Sequence, residues 1–386
     1  MLFDPSRHWE PFNPEPPLSF GHNGWVPKAS LITLGCKVNQ YETQAIQQSL
    51  ESAGFGLALP GEEADLVIIN TCSVTSDAEA KSRAAVRKAK RLNPDATVLA
   101  TGCAAQMALN KGGLMDGADI TLQNPEKLLA LEALKVDRPE LVRLAFEAGV
   151  SVPSLRRRAR AALKVQDGCS FECSYCSIPA TRPGLISRPW REVLTEAQEL
   201  ASKGCHEAVI TGVLVGSYGP ESGSGGPDLA SLIALLANES GLARIRLSSI
   251  EPQQVDEALI SLIEEGRLMP HLHIPLQSGS TKVLADMNRR YSADEYLSVV
   301  ESVRERVPEA AVTTDIMVGF PTEGEEEFNE TLKTAQRARF AKAHVFRFSP
   351  RWGTEADPLG DPVHPEVKKE RAQLLSQSVE SWSGDL

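Results

Sequence analysis

Residues 168–179 read GCSFECSYCSIP and contain three cysteines on one short loop, namely Cys169, Cys173 and Cys176. Three thiolates so close together favour a metal site. A structural zinc site, however, needs four ligands and is usually built from two CxxC pairs. No second CxxC pair follows downstream. The loop therefore predicts a metal site whose fourth ligand is not supplied by the neighbouring sequence.

Three further cysteines each follow a short apolar run: SLITLGC ends at Cys36, DLVIINTC at Cys72 and ATVLATGC at Cys103. Such runs are typical of buried parallel strands, and helical patterns separate them, which predicts an α/β domain with a doubly wound parallel sheet. Because the carboxyl ends of parallel strands share one edge, we expect the three cysteines to converge there. A single cysteine is more often a small buried residue, but three in equivalent positions favour a shared site.

The pattern changes after about residue 145. Strands ending in polar or Gly/Pro-rich segments alternate with helical stretches in ALKVQ, HEAVITGV, RIRLSSIEP, HLHIPLQSG, AVTTDIMVGFPTE and AHVFRFSP. About six such units predict an open, partial (β/α)6 barrel, with its active site at the strand carboxyl ends. We divide the chain into a flexible Pro-rich tail (1–27), a first domain (28–145), a basic linker (146–162) and a second domain (163–386). Cys205 is expected to pack in the core.

The composition is that of a folded globular protein, with 42% hydrophobic and 24% charged residues in 386. No apolar run reaches the roughly twenty residues of a membrane helix, and the N-terminus lacks a signal-peptide core. We therefore expect a cytoplasmic protein with reduced thiols and no membrane partner. The net charge of −11 disfavours a protein coated in positive charge but allows a local basic patch.

Motifs from residue 30 to about 356 resemble those of the radical S-adenosylmethionine (SAM) methylthiotransferases: TLGCKVNQYET, INTCSVT, TGCAAQ, KVQDGCSFECSYCSIP, PLQSGS, MNRRYS, DIMVGFPTE and FSPRWGTEA. The resemblance implies a 4Fe–4S cluster on the loop cysteines, with an open iron that binds SAM. An electron from an external reductant then yields a 5′-deoxyadenosyl radical. It also implies a second 4Fe–4S cluster, on Cys36, Cys72 and Cys103, which carries the sulfur to be inserted. A second SAM supplies the methyl group.

Within the family, LGCKVNQ is most similar to the branch that modifies N6-threonylcarbamoyladenosine beside the anticodon of tRNA. The same chemistry on isopentenyl-adenosine of tRNA or on a ribosomal-protein aspartate is the alternative. A non-enzymatic iron–sulfur sensor is a third and weaker one. The family's C-terminal RNA-binding TRAM domain is expected to be absent, since no strand pattern follows PEVKKERAQLLSQSVESW.

Supporting residues are also predicted. The resemblance places Tyr175 and Gly212 near SAM. We expect Ser249, Glu251, Gln277 and Asp315 there because they lie at strand ends facing the presumed pocket, and a supporting or solvated role is the alternative for each. The alternative for Tyr175 is an aromatic residue of the core. The alternative for Gly212 is a glycine that a turn requires. Those expected to contact RNA phosphates are Arg156, Arg157 and Arg158 of the RRRAR run, with Arg182 and Arg188. A solvated linker is the alternative for the run, and RPGLISRP departs from the family's arginine-rich segment.

Overall fold

The computed structural model describes residues 26–59, 61–148, 159–219 and 226–383. The predicted tail lies outside the described residues except for Val26 and Pro27. Most of the predicted linker, including Arg156, Arg157 and Arg158, lies outside them as well. Within the described ranges, every helix is too short or too polar to cross a lipid bilayer.

The first domain is built on one parallel sheet. Its strands in the described residues are β1 (Lys28–Thr33), β2 (Gly56–Leu57), β3 (Leu66–Thr71), β4 (Thr97–Gly102) and β5 (Ile120–Thr121), in the order β2-β1-β3-β4-β5. Its helices are α1 (Lys37–Ser52), α2 (Ser76–Leu92), α3 (Cys103–Asn110), α4 (Ala130–Asp137) and α5 (Pro139–Ala148). All neighbouring strands are parallel, which confirms the predicted doubly wound sheet.

The central strands explain why helices cover both faces of this sheet. Strands β3 and β4 are buried along their whole length. Leu66 and Ile68 of β3 pack with α1, α4 and α5, whereas Val67 and Ile69 pack with α2 and α3. Successive side chains of a strand point to opposite faces, so a continuous apolar run requires cover on both sides.

The second domain is an open barrel of six parallel strands in the described residues, as predicted. They are β6 (Arg160–Lys164), β9 (Glu207–Thr211), β10 (Arg244–Leu247), β11 (His271–His273), β12 (Ala311–Val318) and β13 (Lys342–Arg347), while β7 (Gln166–Asp167) and β8 (Ile186–Ser187) form a separate antiparallel pair. The order is β6-β9-β10 followed by β11-β12-β13, and a bridge between Ser249 and His273 joins the two halves.

The second domain has eight helices in the described residues, most of which pack around the outside of the barrel. They are α6 (Ile178–Thr181), α7 (Trp190–Ser202), α8 (Leu229–Glu239), α9 (Glu257–Glu264), α10 (Thr281–Asp286), α11 (Ala293–Arg306), α12 (Glu325–Ala338) and α13 (Pro365–Ser383). The last helix packs on β13 and α12, burying Leu375 and Val379 in the barrel core. Arg371 of α13 donates to the buried Glu323 carboxylate at 2.7 Å, which fixes the helix against the end of β12.

The two domains are joined by a buried ionic cluster centred on Glu42 of α1. The Glu42 carboxylate is 2% exposed and accepts hydrogen bonds from Lys127 (2.6 Å), Lys164 (2.7 Å) and Arg182 (2.8 and 2.9 Å). Lys127 belongs to the first domain, whereas the other two cations belong to the second. Asp167 of β7 accepts from both of these, at 2.6 and 2.7 Å. We call these five residues the Glu42 network.

The Glu42 network keeps its central carboxylate ionised. Burial alone would raise the pKa of Glu42, but hydrogen bonds from Arg182 and the three positive charges outweigh burial and hold this pKa well below its ordinary value. A carboxyl group with a lowered pKa stabilises the folded state above its ordinary pKa. It loses that contribution as the pH falls toward the lowered value. The interface is therefore expected to be stable at neutral pH and to weaken in acid.

Replacing Arg182 by Met tests whether the Glu42 network holds the domains together. The change leaves a buried carboxylate short of two hydrogen bonds, which costs about 3–5 kcal/mol in buried pairs. Arg267→Met is a matched control, because Arg267 pairs with Glu265 at 3.1 Å with both side chains roughly half exposed (42% and 53%). That pair should contribute less than about 1 kcal/mol. Urea unfolding of the metal-free chain measures both effects. Equal losses in the two variants would contradict a central role for the network.

Candidate functional site

The structure places the three upstream cysteines at one edge of the first sheet. Cys36 lies between β1 and α1, Cys72 directly follows β3, and Cys103 is the first residue of α3 after β4. Because β1, β3 and β4 are adjacent and parallel, the expectation of a shared edge is confirmed. The thiol of Cys72 is also near enough to both others for their charges to act on its pKa.

Two glycines allow these strand ends to approach each other. Gly35 has a φ of +95°, and a Cβ atom there would lie 2.6 Å from the Sγ atom of Cys72. Gly102 has a φ of +94°, and a Cβ atom there would lie 2.4 Å from the carbonyl oxygen of Thr71. A side chain at either position would combine an unfavourable backbone conformation with a steric clash. The GC dipeptides are therefore what permits Cys36 and Cys103 to reach Cys72.

The loop with Cys169, Cys173 and Cys176 is held in place by Gln166, which is fully buried. Its amide nitrogen donates to the carbonyl oxygens of Asp167 (2.6 Å) and Gly168 (2.7 Å). Its amide oxygen accepts from the backbone N–H groups of Val213 and Leu214, just after β9. One side chain thus ties the start of the cysteine loop to the end of the neighbouring strand.

Gly212 makes room for Gln166. A Cβ atom at Gly212 would lie 2.8 Å from the amide oxygen of Gln166 and 3.0 Å from its Cβ atom. The glycine therefore has a packing role that its sequence context did not indicate. Its predicted contact with SAM stays a prediction.

Donors surround the thiols of both sites. Backbone N–H groups of Val74, Phe171 and Ile178 donate to the Sγ atoms of Cys72 (3.5 Å), Cys169 (3.4 Å) and Cys176 (3.5 Å), respectively. Such donors favour thiolates, which are the form that binds iron. Burial nevertheless raises the pKa of the Cys72 and Cys169 thiols to about 11. It raises that of Cys176 to about 12. Positive charge from bound metal is what would convert these thiols to thiolates.

The donor chemistry fits iron–sulfur clusters. All seven cysteines lie in described residues and are free. No three Cys, His, Asp or Glu side chains in the described ranges are placed to share one metal ion. A cluster has a different requirement, because each cysteine binds a different iron and the sulfur atoms remain apart.

Arg289 lies beside the cysteine loop and was not among the predicted site residues. Its Nη1 donates to the Sγ atom of Cys173 at 3.2 Å, and its Nη2 donates to the Glu251 carboxylate. The guanidinium is 4% exposed and lies over the ring of Tyr291 at 5.0 Å. It thus connects the cysteine loop to the end of β10. The MNRRYS motif contained this arginine but gave no sign of its partner.

Of the four residues expected near SAM from their strand-end positions, three follow a barrel strand as expected, and the fourth lies within its strand and not at the end. Ser249 and Glu251 follow β10, Gln277 follows β11 and Asp315 lies in β12, where its Oδ2 is 3.3 Å from the Nε2 of His273. Gln277 has a φ of +64°, which is rare for a residue with a side chain. Its buried Oε1 has no hydrogen-bond partner in the part of the chain that the structure describes. A strained backbone and an orphaned polar atom together fit a position that contacts a bound group.

Tyr175 packs against an apolar cluster that includes Met287, Phe320 and Phe348. This contact agrees with the alternative prediction that Tyr175 is an aromatic residue of the core. Its place beside SAM stays a prediction. Cys205 is buried in the barrel core, as expected.

The structure corrects the prediction that Arg182 contacts RNA. Its side chain is 3% exposed, and both terminal nitrogens donate to Glu42, Asp167 and Asn39 within the protein. A guanidinium with these partners has no surface to offer a phosphate. Arg188 is partly buried and paired with Glu196 at 2.7 Å, and its contact with RNA stays a prediction.

A cavity of about 670 Å³ opens beside the first cysteine site, between the two domains. Leu34, Gly35 and Cys72 line it from the first domain, whereas Phe348 and Lys368 line it from the second. Phe348 belongs to the apolar cluster against which Tyr175 packs, between Cys173 and Cys176. The cavity therefore lies against one cysteine site, and one of its lining residues belongs to the apolar cluster that packs against the loop of the other.

Comparisons with known proteins match both domains. A model of the Radical SAM superfamily matches residues 163–335, and a model of the uncharacterized protein family UPF0004 matches residues 28–117. The chain is 38% identical over 354 residues to the threonylcarbamoyladenosine tRNA methylthiotransferase MtaB of Bacillus subtilis, covering 89% of this chain and 78% of that protein. It is 35% identical over 365 residues to a tRNA-2-methylthio-N(6)-dimethylallyladenosine synthase of Thermobifida fusca, covering 91% and 73%, respectively.

A solved structure shares the fold. It is the radical S-adenosylmethionine methyltransferase TsrM of Kitasatospora setae, with tryptophan substrate and a SAM analogue bound. The TM-score is 0.61 at 15% identity, covering 86% of this chain and 75% of that one. At this identity the likeness concerns the arrangement of both domains and not their activity.

Replacing Gly35 by Ala tests the convergence of the upstream cysteines. The new methyl group meets the Cys72 Sγ atom, so the chain should retain only about half of the iron that the unchanged protein binds after anaerobic reconstitution. Gly61→Ala is the matched control, because Gly61 has a φ of +90° and nothing within 4 Å of the added atom. Full iron content in Gly35→Ala would show that this contact does not shape the site.

Proposed function

Because this chain belongs to the radical SAM methylthiotransferase family, we propose that it adds a methylthio group to N6-threonylcarbamoyladenosine beside the anticodon of tRNA. We propose this substrate because the chain is 38% identical, over most of both chains, to a protein named for this reaction. The LGCKVNQ segment around Cys36 supports the same branch. We further propose that the reaction takes place in the cytoplasm, which a tRNA substrate supports, and that an external reductant is the electron donor.

In this proposal, each cysteine site holds one 4Fe–4S cluster. Cys169, Cys173 and Cys176 hold the cluster that binds SAM, and Cys36, Cys72 and Cys103 hold the auxiliary cluster. When bound, the first cluster and SAM supply a carbon-centred radical, and the second cluster supplies sulfur. An unactivated aromatic C–H bond is a poor target for polar chemistry, which is why radical chemistry fits this substrate.

The chain's own residues would orient and shield these groups. Arg289 donates to Cys173 and fixes Glu251 at the end of β10, so the charge of the thiolate and that of the carboxylate share one buried cation. Gln277 offers its unpartnered Oε1 at the end of β11. Gln166 positions the whole cysteine loop through four hydrogen bonds in the described structure.

The cavity beside Cys72 is the proposed place for the modified base. It lies between the two domains, and its wall includes the edge where the sulfur-carrying cluster is expected. Phe348 of its second-domain wall belongs to the apolar cluster that packs against Tyr175 of the SAM-binding loop. A base held there would lie directly beside the sulfur-carrying cluster.

The closest alternative is the same reaction on isopentenyl-adenosine. It is supported by the 35% identity with a dimethylallyladenosine-modifying relative. Both substrates are adenosines next to the anticodon, and they differ in the group on N6. That group is a polar, acidic threonyl chain in one case and an apolar chain in the other, so the identity of the product separates the two.

The product assay is our test of the substrate. Reconstituted protein incubated with SAM, sulfide, reductant and tRNA carrying threonylcarbamoyladenosine should give the methylthio nucleoside, detected by mass spectrometry. A product found only on isopentenyl-adenosine, or on a ribosomal-protein aspartate, would reject the substrate while leaving the chemistry in place.

A second prediction separates the roles of the two cysteine sites. Changing Cys36, Cys72 and Cys103 to Ala should abolish methylthio product while SAM is still cleaved to 5′-deoxyadenosine. Changing the three loop cysteines should stop both reactions, because the cleavage depends on their cluster. Cys205→Ser is the control and should alter neither, since Cys205 is core. A folded first variant that no longer cleaves SAM would contradict this division.

A further inference from the structure

Helix α2 carries the strongest local positive charge in the described part of this acidic chain. It holds six basic residues against two acidic ones, whereas the whole protein has a net charge of −11. Three of the basic side chains are committed to acidic neighbours: Arg83 to Glu79, Arg87 to Asp116 and Lys90 to Asp119. The others are Lys81, Lys88 and Arg91.

These three residues form a free basic track. All three are exposed and have no ion-pair partner among the described residues. Lys81 and Lys88 are seven residues apart and so lie on one side of the helix, and Arg91 follows one turn later. At 1.5 Å per residue the track is about 15 Å long. We call Lys81, Lys88 and Arg91 the α2 track.

The α2 track begins at the cavity beside Cys72. Lys81 lines this cavity together with Ser76, the first residue of α2, and Thr75, which caps that helix. The other two members lie progressively farther along the helix, away from the cysteines. A polyanion lying on the track would therefore lead directly into the proposed place of the modified base.

An exposed aromatic side chain lies in the loop that packs against the start of α2. Trp352 is 50% exposed, and the Lys111 ammonium lies 5.4 Å from its ring centre. The neighbouring residue Arg351 donates to the carbonyl oxygen of Ser73 at 2.5 Å and pairs with Glu79 at 2.9 Å, which holds this loop against the start of α2. Exposed aromatic rings beside cations are the usual platform for unstacked bases of single-stranded RNA.

We propose that the α2 track and Trp352 together form the RNA-docking surface of this protein, with the track binding phosphates of the anticodon loop and Trp352 stacking on an unpaired base. This inference rests on the proposed function for the identity of the RNA. Charge complementarity argues for it, since an overall acidic protein needs a local basic surface to hold a polyanion. The free cations begin at the cavity that is the proposed place of the modified base.

The experiment measures how binding of a threonylcarbamoyladenosine-containing anticodon stem–loop RNA depends on salt. Reconstituted protein is used without reductant, so that no turnover occurs. Each single-strand phosphate contact contributes about 0.7 to the slope of log affinity against log salt. The double variant Lys88→Ala/Arg91→Ala should therefore lower that slope by about 1.4. Both residues lie away from the cysteines, so SAM cleavage in the absence of RNA should be unchanged.

The matched control is Arg143→Ala/Lys333→Ala. Arg143 lies on α5, which covers the opposite face of the first sheet, and Lys333 lies on α12; both are exposed. This variant removes the same charge and should leave the slope as it is. Trp352→Ala should weaken RNA binding about tenfold without changing the slope, because stacking carries no counterion release.

The proposed docking surface is wrong if the salt slope is unchanged in Lys88→Ala/Arg91→Ala, or if the slope falls equally in the control variant. It is also wrong if the variant binds RNA normally but is no longer reduced by an acidic electron-transfer protein, because the track would then serve that partner. These outcomes are distinct from a failure of the proposed function. In that case the unchanged protein binds the RNA with the predicted slope but makes no methylthio product on it.

Discussion

One buried carboxylate, that of Glu42, fixes the relation between the two halves of this molecule. It lies on α1, six residues after Cys36, and it binds cations from both domains. Its partners are close in sequence to the other cysteine site: Asp167 lies two residues before Cys169, and Arg182 six residues after Cys176. The Glu42 network therefore ties both cysteine sites to one another through short, hydrogen-bonded segments.

The charges of the Glu42 network suit a neighbouring anionic group. It contains three cations and two carboxylates, and Lys127 and Arg182 both lie near enough to Cys103 to be affected by a charge on its sulfur. Asn124 completes the connection, because its Nδ2 donates to the Cys103 Sγ atom (3.8 Å) and to the Thr181 carbonyl oxygen (2.8 Å). A cluster on the upstream cysteines would thus face the surplus positive charge of the interface. The Glu42 network, one of several contacts between the domains, thus joins the fold, the charge and the proposed chemistry.

Much of the fold could be predicted from sequence because it follows from local patterns. Buried apolar runs that end in cysteine predicted the strand ends, and alternating strands and helices predicted the open barrel. Tertiary partners could not be predicted in this way. The basic character of Arg182 suggested an exposed role in RNA binding, but its partner Glu42 is 140 residues away in the chain. Likewise, Arg289 meets Cys173 across 116 residues, and no local pattern records either contact.

The central claim is that the Glu42 network holds the two cluster sites at a fixed separation. Pulsed electron paramagnetic resonance on the reconstituted, reduced protein measures the distance between the two clusters directly. We expect one narrow distance distribution in the unchanged protein and a broadened one in Glu42→Gln, which keeps the shape of the side chain but removes its charge. An equally narrow distribution at the same distance in Glu42→Gln, or no second cluster in the unchanged protein, would contradict it.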